Sequence, residues 1–230
     1  MNISSNILKE CLKNVYFIHG TAYAGKSTMV RMLAEKHDMI HCGENYHDRL
    51  SSAISTPEHQ PNLSYFKTMG SWQEFVSRTP EVYAGWISGT AEESSEFEIV
   101  ELLRLSESGR RIIVDTNIPT DDLREISDYS RVAIMLCPPS MSVNMFFERD
   151  DADKQFILSQ IQASKNPEET MANYKACIAR TNSEDTFRKF KNSGFFTVFR
   201  EHAEEDTRLE VLEQLEQHFG LVHCGSFRLG

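Results

Sequence analysis

Apolar positions along this chain follow two rhythms. Short, continuously apolar runs occur at 15–18, in "DMIHCG", in "RRIIVDTN", in "RVAIMLCPP" and in "FFTVFR". Runs of that length, bounded by polar or Gly/Pro residues, predict buried strands. Between them, apolar residues recur at helical spacing, as at Val30, Leu33 and Ala34 within 26–37. Alternating buried strands and amphipathic helices predict an α/β fold: a five-stranded parallel sheet between two helical layers.

The helical stretches predicted between the strands are uneven. Ile7, Leu8, Cys11 and Leu12 form the stripe of a short N-terminal packing helix. After the second strand come a helix at 45–55 and an irregular stretch at 56–70 holding Pro57 and Pro61. A helical region at 71–89 follows, with Trp72 and Trp86. Next is a Glu-rich helix at 91–108 whose apolar side is Phe97, Val100 and Leu103, stopped by Gly109. Further helices are expected at 121–129 opened by Thr120, from Ser140 as cap to about Arg149, at 151–163, at 167–192 closed by Gly194, and at 204–219. The last carries Leu209, Leu212, Leu215 and Phe219 on one face. The block 45–108 is far longer than a strand crossover needs, so it is expected to form a semi-independent layer within one domain, 1–230.

The chemistry concentrates at the end of the first strand, in "GTAYAGKST". Gly20, Gly25, Lys26 and Ser27 satisfy G-x-x-x-x-G-K-[ST], with Thr21, Ala22, Tyr23 and Ala24 between the glycines and Thr28 after them. Glycines let backbone N–H groups approach phosphate oxygens, and the helix that follows presents its positive end to an anion. Lys26 is placed to reach the outer phosphates of ATP, and Ser27 to put its hydroxyl on Mg²⁺. No G-x-G-x-x-G is present, which disfavours a dinucleotide site. Asp115, ending the third strand, is placed to hold Mg²⁺ through water, to face the acceptor, or to cap the strand. Thr116 follows it where a hydrolytic ATPase places a water-activating glutamate, and no NKxD-like guanine-reading motif occurs.

This layout resembles the nucleoside-monophosphate-kinase-like group of P-loop kinases, which includes adenylate, shikimate and gluconate kinases. The order of elements matches over nearly the whole chain; only the phosphate loop is specific in sequence. The resemblance implies that 45–108 is a helical acceptor-binding insertion. It implies a short LID at 149–165, where "RDDADK" resembles the R-x-D-D stretch of short-LID nucleotide kinases and Arg149 covers the nucleotide phosphates. Lys154, Arg180 and Arg188 are further cationic candidates, and the segment after the fifth strand, near Phe199 and Arg200, falls where the group contacts adenine. Members that phosphorylate nucleotides hold the acceptor phosphate with two arginines. Here His47 and Thr120 stand at those positions, and Arg49 lies two residues beyond the first.

Glu44 and Asp48, just past the second strand, either cap the next helix or orient a hydroxyl acceptor and take its proton. Tyr83, Trp86, Glu92, Glu93 and Glu96 are candidate linings of the acceptor pocket. The expected activity is therefore ATP–Mg²⁺-dependent phosphoryl transfer to a small hydroxylated metabolite. The alternatives are a regulatory P-loop ATPase without a small-molecule acceptor and a nucleotide kinase.

Charge and cysteine use narrow the setting. With 24 Lys+Arg against 34 Asp+Glu, the net charge is -10, and no basic run gathers the cations. Nucleic acid and anionic lipid are poor partners for such a surface. The five cysteines are scattered without a C-x-x-C pair, so reduced thiols in a cytoplasmic protein are expected, and neither disulfides nor a cysteine-held zinc. No apolar run has membrane-spanning length, and "MNISSNILKECLKN" lacks the apolar core of a signal peptide.

Overall fold

A computed structural model describes residues 3–148, 151–201 and 206–221. In chain order the elements are α1 (Ser5–Cys11), β1 (Val15–Gly20), α2 (Lys26–His37), β2 (Ile40–Cys42), α3 (Asp48–Ile54), α4 (Tyr65–Thr68), α5 (Trp72–Val76) and α6 (Pro80–Ser106). There follow β3 (Ile112–Asp115), α7 (Thr120–Ile126), β4 (Val132–Leu136), α8 (Pro139–Met145), α9 (Ala152–Gln162), α10 (Pro167–Thr181), α11 (Glu184–Lys191), β5 (Phe196–Phe199) and α12 (Arg208–Phe219).

The strands pair all-parallel in the order β2-β3-β1-β4-β5. Their side chains alternate between the faces, as the pleat requires. Val15, Phe17, Ile112, Val114, Val132, Ile134 and Leu136 enter one core with Leu102, Leu123 and Ile126. Ile18, Ile113, Ala133 and Met135 enter the other, with Leu33 of α2 and Leu215 of α12. Both faces are thus covered, which explains why the strands read as unbroken apolar runs. From β1 the chain crosses to β2 on one side, whereas β4 lies on β1's other side. The C-terminal end of β1 is therefore a switch point, where parallel sheets open a crevice for ligands.

A third core stands apart from the sheet. Phe75, Val76, Tyr83, Ile161, Tyr174, Cys177 and Ile178 are buried together, joining α5 and α6 to α9 and α10. Trp72 meets Phe156 edge-on at 4.8 Å, and the Gln73 amide donates to the Gln160 carbonyl at 2.9 Å. Helices from 45–108 and from 149–165 thus share one aromatic core.

Several expected boundaries move. The stretches at 71–89 and 91–108 resolve into α5 and one long α6, because Pro80 opens a new helix that Thr79 caps by accepting from the Val82 N–H. On α6 Val100 is 54% exposed, while Glu98 and Leu102 are fully buried. Of the predicted apolar side, Phe97 is buried and Leu103 packs against the sheet core, but Val100 faces out and the buried stripe runs through Ser94, Glu98 and Leu102. The helix expected at 167–192 breaks at Asn182–Ser183, where Ser183 caps α11. Thr120 is the first residue of α7 and Ser140 lies inside α8; Pro119 and Pro138 precede these helices, and neither hydroxyl caps. Leu209 is exposed, its expected place in the core taken by Val211. Ile7 is also exposed, leaving Leu12 as the buried member of the N-terminal stripe. The expected helix start at 204 lies outside the described residues. No helix among them is long and apolar enough to cross a membrane.

Candidate functional site

The loop from Gly20 to Gly25 leaves β1 at the switch point. Gly20 has φ +132°, and a Cβ there would lie 1.9 Å from the Met135 carbonyl oxygen. Only glycine fits, because β1 and β4 are in register at this pair and Thr21 N–H donates to the same oxygen at 3.0 Å. Tyr23 at φ +68° and Gly25 at φ +92° are left-handed. Such residues among ordinary ones give a backbone form that gathers amide N–H groups around an anion. The loop is pinned from below: Thr21 Oγ1 accepts from the Cys137 N–H at 2.9 Å, and Cys137 Sγ donates to the Ala22 carbonyl at 3.0 Å. Gly25 then stands at the N-cap of α2.

Lys26 and Ser27 open that helix beside the end of β3. Ser27 Oγ donates to Asp115 Oδ2 at 2.8 Å. Lys26 Nζ lies 3.9 Å from Asp115 Oδ1 and donates to the Thr21 carbonyl at 3.3 Å. Asp115 is 1% exposed, and its Oδ1 has no hydrogen-bond partner among the described residues. Burial pushes its carboxyl above the usual range, while Lys26 pulls it down. A buried carboxylate oxygen lacking a donor is a ready ligand for a cation.

Lys26 and Ser27 line a cavity of about 1060 Å³ at the C-terminal ends of the strands. One wall is a stripe of α6: Tyr83, Ala84, Ile87, Ser88, Ala91 and Glu92. Glu44 enters from the loop after β2, Asn117 and Thr120 from the turn after β3, and Lys154, Arg180 and Lys189 from α9, α10 and α11. Lys154 Nζ is paired with Asp151 at 3.1 Å. Beside Gly25 and Thr28 a second cavity, of about 290 Å³, is lined by Met29, Val198 and Arg200. Arg200 Nη1 donates to the Tyr23 carbonyl at 3.3 Å, tying the end of β5 to the loop.

Thr21, Ala22, Tyr23, Lys26, Ser27, Thr28 and Glu44 share the larger cavity with Gly20 and Gly25, and Asp115 touches it through Ser27; Ala24 lines the smaller one. Other predicted residues fall elsewhere. The Asp48 side chain is 65% exposed, opens α3, and is not part of the cavity wall. His47 is buried against Tyr46 and lies 3.9 Å from Asp48. Glu93 accepts from the Asn62 and Leu63 N–H groups at 3.1 and 2.8 Å, so it holds the 56–64 segment rather than a ligand. Trp86 Nε1 donates to the Asn62 carbonyl at 3.0 Å. Glu96 is exposed, and Arg188 is paired with Asp185 at 2.9 Å. Phe199 packs on Phe187, on the sheet face away from the smaller cavity. Arg149 lies outside the described residues.

Two important residues escaped the sequence reading. Glu98, fully buried, accepts from Thr116 Oγ1 at 2.6 Å and from the Asn117 N–H at 3.2 Å. It ties α6 to the turn directly after Asp115. Burial pushes its carboxyl up to about 7. Its signal was spacing: Glu98 stands four residues after Ser94 and four before Leu102, on the buried stripe. His19 ends an apolar strand on the polar side of the cavity, and a histidine breaking such a run immediately before the loop was its mark.

No family model, characterised protein or solved structure matches the chain.

Proposed function

We propose that the chain is an ATP–Mg²⁺-dependent kinase of a small hydroxylated metabolite, working in the cytoplasm and in the manner of the nucleoside-monophosphate-kinase-like group it resembles. The observation that carries this reading is the constellation of Lys26, Ser27 and Asp115 at the mouth of a left-handed, glycine-framed loop. It opens into one cavity with Glu44 and the α6 wall. The residues fit Mg²⁺: Asp115 Oδ1 is buried and lacks a donor among the described residues, and the Ser27 hydroxyl is bonded to the other oxygen of the same carboxylate. Ser27 and Asp115 would hold the ion, which when bound offsets phosphate charge.

The chain's own groups then divide the work. The loop amides and Lys26 hold the outer phosphates of ATP, and the smaller cavity beside Gly25, Thr28 and Arg200 receives the base. An acceptor hydroxyl lies against α6, and Glu44 takes its proton as its oxygen bonds to the γ-phosphorus. The bond from that phosphorus to the β–γ bridging oxygen breaks, and ADP leaves. Lys154 supplies a cation for the equatorial oxygens of the moving group. A regulatory ATPase would have no use for the α6 wall, and predicts hydrolysis that no acceptor increases.

Lys26→Ala tests the reading in an ADP-release screen across sugars, polyols, amino sugars, nucleosides and nucleotides. ADP formation should fall about a hundredfold or more while the circular dichroism spectrum is retained. A variant turning over like its parent overturns the mechanism.

A further inference from the structure

We infer that the acceptor carries an anionic group of its own, a phosphate or a carboxylate, seated between Arg180 and Lys189 on the α10–α11 wall of the large cavity. This rests on the kinase reading above and names the acceptor class it left open.

The charged groups lining that cavity are not equally free. Lys26 faces Asp115 and Lys154 is paired with Asp151. Arg180 and Lys189 line the same cavity and have neither a carboxylate within ion-pair distance nor a hydrogen-bonding partner among the described residues. Arg188, one residue from Lys189, points elsewhere and is paired. In a chain of net charge -10, two unpartnered cations on one concave wall concentrate positive potential there. The break at Asn182–Ser183 creates the arrangement, since it lets the end of α10 and the last turn of α11 face one cavity.

A second observation comes from the neighbouring wall. His19 is 7% exposed, lines the cavity, and meets the ring of Phe190 edge-on at 4.8 Å. Its Nδ1 has no hydrogen-bond partner among the described residues. Burial, then the charges of Lys26 and Lys189, hold the imidazole neutral, with its pKa lowered to about 3. An unpaired polar atom thus faces the same cavity as the two cations.

Of the carboxylates lining the cavity, Asp151 is paired with Lys154, while Glu44 and Glu92 enter from the β2–α3 loop and from α6, not from the α10–α11 wall. The cavity is therefore bipolar, with acceptors for hydroxyl hydrogens on one side and cations on the other. The two positions where related nucleotide kinases keep acceptor-phosphate arginines hold His47, outside the cavity wall, and uncharged Thr120. Arg180 and Lys189 take over that task from a different wall, and a guanidinium fork suits phosphate and carboxylate alike. The substrate class is a hydroxylated metabolite already bearing one anionic group.

The test fills the donor site with Mg²⁺ and the non-hydrolysable ATP analogue AMP-PNP. The protein is then titrated calorimetrically with glycerol, glycerol 3-phosphate and glycerate, one skeleton in three charge states. At least one anion should bind one-to-one, at least tenfold tighter than glycerol. Arg180→Gln and Lys189→Gln, both at exposed helix positions, should each weaken it about tenfold while leaving the AMP-PNP affinity within twofold. Binding of glycerol 3-phosphate alone assigns the group as phosphate, and of glycerate alone as carboxylate. Equal binding of all three compounds, or an affinity that neither substitution changes, overturns the inference. Loss of AMP-PNP binding itself would instead sink the kinase reading, and the anion titration would then be run on the free protein.

Discussion

Gly20 and Gly85 are both glycines next to apolar elements, yet opposite outcomes are expected of the same substitution. At Gly20 a methyl group would overlap the Met135 carbonyl, which belongs to a sheet backbone that cannot move aside, and φ is +132°. Gly20→Ala should cost about 3 kcal/mol or more, from overlap together with backbone strain. At Gly85, inside α6, a Cβ meets nothing within 4 Å and the conformation is helical. Gly85→Ala should therefore stabilise by about 0.5–1 kcal/mol, because the unfolded chain loses more freedom than the folded one. Urea unfolding of both variants measures the contrast. Equal losses would mean that the close approach of loop and β4 is not what fixes Gly20.

At the scale of elements, Glu98 makes α6 a pH-sensitive strut. Its carboxyl faces Thr116 and Asn117 after β3, Tyr46 after β2 and, more distantly, Asp115. Burial raises its pKa from 4.5 to about 7, so the folded state binds a proton more readily than the unfolded one. Its stabilising contribution is then full below about pH 4.5 and lost as pH rises through about 7. The displacement corresponds to about 3 kcal/mol. Between pH 5 and pH 8 the unfolding free energy of Glu98→Gln should fall less than that of the parent by an amount of this order. Parallel pH profiles would show that Glu98 does not titrate in this window.

The same helix marks what was legible in the sequence. The five strands and α2 could be read because unbroken apolar runs and a 3.6-residue stripe have no other use in a chain of this composition. The loop was legible because Gly20, Gly25, Lys26 and Ser27 are each demanded by local backbone and charge. The face of α6 was not, because a fully buried glutamate looks polar until its partners, 18 and 19 residues away, are known. Glu93 was misassigned for the same reason: a glutamate serving two backbone N–H groups and one lining a cavity are indistinguishable in sequence. Lys189 acquires meaning only through the break at Asn182–Ser183, a tertiary event within a stretch of strong helical pattern.

For the whole molecule, the aromatic core between α5, α6, α9 and α10 has consequences for motion. The layer over the sheet and the segment after α8 are distant in sequence but share Phe75, Ile161, Tyr174 and Ile178 as buried partners. Packed interiors transmit displacement rather than absorb it, so these helices should open together, not as two separate flaps. Phe75 is the point to probe, being 2% exposed and in ring contact with Tyr65, Trp86, Tyr83 and Tyr174. Phe75→Ala should cost the layer about 3–5 kcal/mol. Native-state hydrogen exchange should then speed by a similar factor in α5, the first half of α6, α9 and α10. Amides of β1, β3 and β4 should keep their protection, since their cores contain none of these residues. Acceleration confined to α5 and α6, with α9 unchanged, would show that the two segments move independently. Joint opening would instead mean that a ligand bound against α6 also positions Lys154 and Arg180 across the same cavity.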